Sequence, residues 1–308
     1  MSILTNLKSF LETAKKPLLV VLGPTASGKT ALSLKLAHLF DGEIISTDSR
    51  QIYRQMDIST DAIQKDQQEE IPHHLINIVN PDKTLTLAEY RDLATQEIQK
   101  IYERKHLPIL VGGTGLYISA IIENYEVPHI PPDLKLRKKL YKEAKTEGVE
   151  FLYEKLKKLD PVAAEKIHQN NLRYVVRAIE INLASGKNKI DKKSKKSPFD
   201  AFLIGVNWPR EELYERIEQR VDNQLKRGLL NEVKQLIQQG YSLDLPSMSS
   251  LGIKEIIPYI KGKVSLQECI ATLKLNTRHY AKRQMTWFRR YDNVNWLLPK
   301  ELEKIINN

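Results

Sequence analysis

Cysteine is almost missing from this chain. Cys269 stands alone among 308 residues, which excludes a disulfide within the chain and a zinc site built from thiolates. It is read as an inert core residue. Long apolar runs are missing too: none approaches the roughly 20 residues that cross a bilayer, and the first residues lack a secretory pattern. The expected location is the cytoplasm, with no membrane contact. Acid is in deficit, since 48 Lys and Arg against 38 Asp and Glu leave a net charge of +10 and a pI near 9.3. A surplus of that size invites a polyanionic partner. Internal repeats are absent. What remains is ordinary for a soluble globular protein, 41% hydrophobic and 28% charged, and long enough for one domain with an insertion or for two domains.

Against this background one stretch is dense with chemistry. Gly23-Pro24-Thr25-Ala26-Ser27-Gly28-Lys29-Thr30 follows the apolar run Leu18 to Leu22 and fits G-x-x-x-x-G-K-[ST] at every constrained position. Leucines and lysines from Thr30 to Phe40 read as a helix, so the loop joins a strand to a helix, as a phosphate-binding loop does. Gly23 and Gly28 let the backbone wrap an anion with its N–H groups turned inward. The helix N-terminus adds partial positive charge, Lys29 a mobile full charge, and the Thr30 hydroxyl a ligand for Mg²⁺. A di- or triphosphate is expected here, and the loop alone does not say which.

The rest of the chain alternates strand and helix before and after a different middle. Residues 2–16 read as an amphipathic lead-in helix. Glu43 to Thr47 reads as a second strand that delivers Asp48-Ser49-Arg50-Gln51 to its carboxyl end. Ligands collect at that end in an open parallel sheet. Asp48 could hold Mg²⁺, take a proton from a nucleophile, or cap a helix. His73 and His74 have no third ligand nearby and are read as packing or capping residues. Leu87 to Tyr102 is a helix, and Leu107 to Val111 a buried strand ending in Gly112-Gly113-Thr114-Gly115.

Val127 to Pro132 is an extended linker, and from there to about Pro198 only helices are read. Residues 123–199 carry 18 Lys and Arg against 11 Asp and Glu, most of the excess charge of the whole chain. Lys187 to Lys196 reads as a solvated, mobile loop, and Arg173 and Arg177 share a helix face. Strands at Phe202 to Val206 and Val294 to Leu298 enclose further helices. The helix from Leu266 to about Arg290 has six Lys or Arg and no acid over Lys274 to Arg290. Arg278, Lys282 and Arg289 align along it, a face suited to a phosphodiester backbone. The expected fold is α/β, a P-loop, doubly wound, mostly parallel sheet in 1–122 and 200–308, with a helical basic insertion in 123–199.

Three classes of function fit these features: a small-molecule kinase with a basic lid, a nucleic-acid-dependent ATPase, and a transferase with a diphosphate donor and a nucleic-acid acceptor. The kinase leaves the basic carboxy-terminal helix unexplained. The ATPase wants an acid at the end of the third strand, where this chain has glycines. The blocks GPTASGKT, DSRQIYRQMDIST, PHHLINI, VGGTGLYISA, RIEQRVDNQL–RGLLNEV and YAKRQMTWFRR run from about Leu18 to Arg290. In type and order they resemble the tRNA dimethylallyltransferase (tRNA isopentenyltransferase) family.

That resemblance implies transfer of the dimethylallyl group from dimethylallyl diphosphate to N6 of the adenosine 3′ of the anticodon, with release of diphosphate. It implies Asp48 as general base, and Lys29, Thr30 with Mg²⁺, Arg220 and the loop residues 23–30 as the diphosphate site. Thr25 and Ser27 add donors there. It puts Ser49, Arg50 and Gln51 on the flipped-out nucleotide, and Thr114, Arg173 and Arg177 on tRNA. Lys254, Arg278, Lys282 and Arg283 complete the expected tRNA surface. The insertion would clamp the anticodon stem-loop, and the chain would work as a monomer. Two runs depart from the family. Where Gly-Thr-Ala-Lys is common the chain reads Asp57-Ile58-Ser59-Thr60-Asp61-Ala62, with no lysine, and Gly252-Ile253-Lys254-Glu255 lacks an aromatic residue at its second position.

Overall fold

The computed structural model describes residues 3–185 and 197–307; the basic run Lys187 to Lys196 lies outside the described residues. Helix α1 (Ile3–Thr13) leads to β1 (Pro17–Leu22), which the phosphate loop joins to α2 (Lys29–Phe40). Next come β2 (Gly42–Ser46), the short α3 (Asp57–Thr60), β3 (His73–His74), α4 (Leu87–Glu103), β4 (Leu107–Gly112) and α5 (Gly115–Ile122). Four helices follow, α6 (Leu134–Thr146), α7 (Val149–Leu159), α8 (Pro161–Lys166) and α9 (Leu172–Ser185). The chain then runs through β5 (Asp200–Val206), α10 (Arg210–Lys226), α11 (Leu229–Gln238), α12 (Ile253–Ile260), α13 (Leu266–Phe288), β6 (Val294–Leu297) and α14 (Pro299–Asn307).

The strands form one parallel sheet in the order β3-β2-β4-β1-β5-β6. A central parallel strand is covered on both faces, so it needs apolar side chains at successive positions rather than in alternation. β1 meets that need, with Leu18 through Leu22 all fully buried. The doubly wound parallel sheet expected from sequence is present. Its one unforeseen strand is β3, two histidines paired with Ile44 and Ile45 at the sheet edge.

This topology sets the site. From β1 the chain crosses to β2, two places away; β4 then fills the gap, and β5 lies on the other side of β1. Such a reversal opens a crevice beyond the strand ends, where ligands bind in doubly wound folds. Register brings Leu22 beside Gly112 and Ser46 beside Val111. The loops after β1, β2 and β4 therefore emerge together.

By compactness the chain divides into two units, residues 1–85, 90–122 and 197–308 in one, 86–89 and 123–196 in the other. In the first, α1, α2 and α14 pack on the sheet through Leu7, Leu32, Leu36 and Leu302. A separate cluster joins α10 to α13 through Val221, Val233, Ile256 and Leu273 and includes buried Cys269. Helix α13 starts at a capping box in which Ser265 and Glu268 satisfy each other's N–H groups.

The second unit has its own core of Leu140, Leu152, Leu156, Val175 and Ile179. Asp133 caps α6, and Asp160 caps α8 ahead of Pro161 at its first turn. No helix among the described residues is long and apolar enough to cross a membrane.

Candidate active site

Three carbonyls of the phosphate loop are engaged by side chains, two of them from outside the loop. Arg216 Nε donates to Ala26 O at 2.8 Å, Trp208 Nε1 to Ser27 O at 2.9 Å, and Lys29 Nζ to Pro24 O at 2.6 Å. Arg216 also stacks on the Trp208 ring, 4.2 Å from its centroid. With these carbonyls engaged, the first N–H groups of α2, which have no intrahelical acceptor, are left to an anion. Gly28 caps α2 at φ 91°, a left-handed conformation that a side chain would strain. Ser27 Oγ is fully buried and lacks a hydrogen-bond partner, as expected of a group built to face a ligand.

A cavity of about 540 Å³ opens from this loop onto α10. Its walls carry Lys29, Arg216, Arg220, Lys226 and Arg227 against one carboxylate, Asp61. Arg220 donates to Thr60 O at 3.3 Å and lies 3.3 Å from Asp61. Burial drives the Lys29 ammonium down to a pKa of about 7; repulsion from Arg220 adds to this, and Asp48 offsets part of it. Lys29 thus lies within electrostatic reach of both Arg220 and Asp48. Thr30 is exposed at the start of α2, and no cluster of three or more His, Cys, Asp or Glu suited to a metal occurs among the described residues. One hydroxyl fits a Mg²⁺ ion carried chiefly by phosphate oxygens and water, not a protein-built cage.

Asp48 follows β2 and is half-buried; its Oδ1 accepts from the Arg50 N–H at 2.8 Å, in a tight turn that aims the next residues. The Ser49 N–H donates to Thr114 Oγ1 at 3.0 Å, and the Thr114 N–H to Thr47 O at 3.1 Å, so the β2 and β4 loops are laced together. A Cβ on Gly112 would fall 2.6 Å from the Thr47 carbonyl carbon, which explains the glycine there. Gln51 accepts from Ser46 Oγ and donates to Asp61 O. Arg50 reaches Pro246 O at 2.5 Å. Tyr280, bonded to Thr114, is pushed above its usual pKa by burial and then by Asp48; Tyr90 and Tyr117, stacked 3.7 Å apart, also feel its charge.

The structure brings the loop residues, Arg220, Asp48 to Gln51 and Thr114 together. The other expected contacts are held or exposed by their own neighbours. Arg173 is exposed on α9, whereas Arg177 pairs with buried Glu180, which Arg137 also holds, and donates to Ile130 O. Lys254 lies 3.5 Å from Glu255. Arg278 turns onto α10, pairing with Glu218 and stacking on Tyr214, while Lys282 and Arg283 remain exposed on α13.

Sequence reasoning missed Gln284. It accepts from the Thr25 N–H at 2.9 Å and donates to Gly113 O at 2.8 Å, so one buried amide ties the phosphate loop to the β4 turn. Its only signal was a place within the YAKRQMTWF block. Arg216 and Trp208 were missed too, since nothing local marks a side chain that bonds a carbonyl more than 180 residues away.

Comparisons with known proteins agree on one family. A family model described as IPP transferase matches residues 51–291. A tRNA dimethylallyltransferase of Acetivibrio thermocellus is 47% identical over 297 residues, covering 94% of this chain and 95% of the relative. One from Alkaliphilus oremlandii is 47% identical over 285 residues, with 92% and 91% covered. Among solved structures, the full-length tRNA isopentenylpyrophosphate transferase of Bacillus halodurans superposes with a TM-score of 0.70 at 43% identity, with 95% of each chain covered. A eukaryotic dimethylallyltransferase acting on tRNA gives 0.77 at 31% identity, with 92% of this chain and 74% of the other covered.

Proposed function

Because the chain belongs to the tRNA dimethylallyltransferase (IPP transferase) family, we propose that its cationic cavity binds the diphosphate of dimethylallyl diphosphate while Asp48 serves the acceptor base. The reaction moves the dimethylallyl group to N6 of the adenosine 3′ of the anticodon and releases diphosphate. One observation carries the assignment: Gln51, three residues past Asp48, donates to the Asp61 carbonyl on the cavity wall, and Lys29 in that cavity feels the charges of both Arg220 and Asp48, so the donor pocket and the carboxylate adjoin.

Each group then has a task set by its chemistry. As the bond from the prenyl carbon to oxygen breaks, charge grows on the diphosphate; the N–H groups of α2, Lys29, Arg220 and the Ser27 hydroxyl meet it there. Bound through Thr30, Mg²⁺ would neutralise part of the same charge. The adenine amine is a weak nucleophile and becomes more acidic as its bond to carbon forms. Asp48, fixed by its bond from the Arg50 N–H, takes that proton. The nucleotide must leave its stack to reach Asp48, at a cost of a few kcal/mol. Ser49, Arg50, Gln51 and Thr114 line the place where the flipped base would sit.

The insertion, with Arg173 exposed, and the exposed Lys282 and Arg283 of α13 serve tRNA phosphates in this reading, with Lys254 at the neighbouring turn. Arg177 and Arg278 support those surfaces through their ion pairs. The chain works in the cytoplasm as a monomer. Purified protein should add a five-carbon unit to adenosine when given tRNA and dimethylallyl diphosphate, read by mass spectrometry of digested nucleosides. Brisk tRNA-stimulated phosphate release from ATP, without base modification, would favour an ATPase instead.

A further inference from the structure

The cavity that would hold the leaving diphosphate already contains an anion of the protein's own. Asp61 Oδ1 lies 2.5 Å from Arg227, and Oδ2 lies 3.3 Å from Arg220. It is the only acid among the residues that line the cavity. Its position is built rather than casual. Asp61 caps the C-terminus of α3 in the left-handed conformation, and its N–H bonds Asp57 O and Ile58 O. At the other end of α3, buried Glu232 accepts from the N–H groups of Ile58 at 2.6 Å and Ser59 at 2.9 Å. Gln224 clasps the carbonyls of the same two residues at 2.8 and 3.1 Å. A short helix of little stability by itself is thereby pinned to α10 and α11, and its last residue is presented to two arginines.

We infer that Asp61 is a built-in competitor for Arg220 and Arg227 that weakens retention of diphosphate and so promotes product release. This rests on the reading of the cavity as the diphosphate site. A donor ester is held by its hydrocarbon as well as its charge, whereas free diphosphate carries more charge and has charge alone. A fixed carboxylate among the cations therefore penalises the product more than the donor. The arginines are also never left facing one another uncompensated when the pocket is empty.

The test is calorimetric titration of inorganic diphosphate, with magnesium, into the full chain, Asp61→Asn, Asp61→Ala and Lys29→Ala, alongside inhibition of prenyl transfer by the same anion. Both Asp61 variants should bind diphosphate about two- to fivefold more tightly, the range for relief of a partly exposed ion pair. The inhibition constant should fall in parallel, while KM for the donor moves less. Asp61→Glu should restore the wild-type affinity. Unchanged or weaker binding in both variants would overturn the inference and leave Asp61 as a prop for the arginines. If the unaltered chain binds no diphosphate and Lys29→Ala changes nothing, the diphosphate reading of the cavity itself fails, and the inference with it.

Discussion

Binding of a diphosphate should draw a proton onto Lys29. The free ammonium is held at a pKa of about 7, first by desolvation and then by Arg220, against the partial support of Asp48. A bound diphosphate sets negative charge beside it and raises that pKa. The sign follows. Below about pH 6 Lys29 is already charged, and binding takes up no proton at this residue; above 7 each binding event must charge it. At pH 8 about nine-tenths of free Lys29 is neutral, so affinity carries a penalty of about 1.4 kcal/mol, or tenfold, from this residue alone. Calorimetry in two buffers of different ionisation enthalpy counts the protons taken up. Lys29→Arg supplies the control, because a guanidinium stays charged throughout, and the ligand's own protons are common to both proteins. The wild type should take up close to one proton more than Lys29→Arg at pH 8 and none more at pH 6. Equal uptake at both values would refute the account of this lysine.

Three further outcomes are expected. Glu43 is buried, which by itself raises its carboxyl pKa, yet hydrogen bonds from Arg104 and His74 more than reverse this and leave the group below its usual value. Its folded pKa is the depressed one, so its stabilisation is complete above about pH 4.5 and is lost as pH falls through the folded pKa; Glu43→Gln should cost about 3 kcal/mol in denaturant melts at pH 7 and much less in acid. Gln284→Ala unlaces the phosphate loop from Gly113 and should cost about 1–3 kcal/mol, with a rise in the dissociation constant for diphosphate. Lys282→Ala with Arg283→Ala should lower the slope of log affinity for tRNA against log salt by about 1–2; an unchanged slope would make that part of α13 a solvated face.

Some of this architecture was legible because it is local. The phosphate loop declares itself through two glycines and a lysine at fixed spacing between strand and helix, and Asp48 through its place at the end of an apolar run. β1, β4 and β5 are continuous apolar runs because both faces of each are covered. β3 was not legible: two histidines owe their strand pairing to Ile44 and Ile45 and have no periodicity of their own.

The same limit applied to the site. Gln284 meets Thr25 across 259 positions, and Arg216 meets Ala26 across 190. Arg278 shows the converse. Its helical alignment with Lys282 is real, yet Glu218 and the Tyr214 ring on α10 claim the side chain, and spacing along one helix carries no record of its neighbour. Asp61 read as a mere departure from a family pattern, and only the fold brings it to Arg220 and Arg227.

In the proposed reaction one carboxylate takes the proton while a separate cationic pocket takes the leaving group. Single-turnover prenyl transfer by Asp48→Asn, measured with diphosphate affinity on the same preparation, tests this most directly. The amide keeps the shape of the side chain and can still accept the Arg50 N–H, but it cannot take the amine proton. The rate should fall by roughly two to four orders of magnitude, with diphosphate affinity and melting temperature nearly unchanged. A rate close to wild type, or a loss that excess magnesium repairs, would contradict the account.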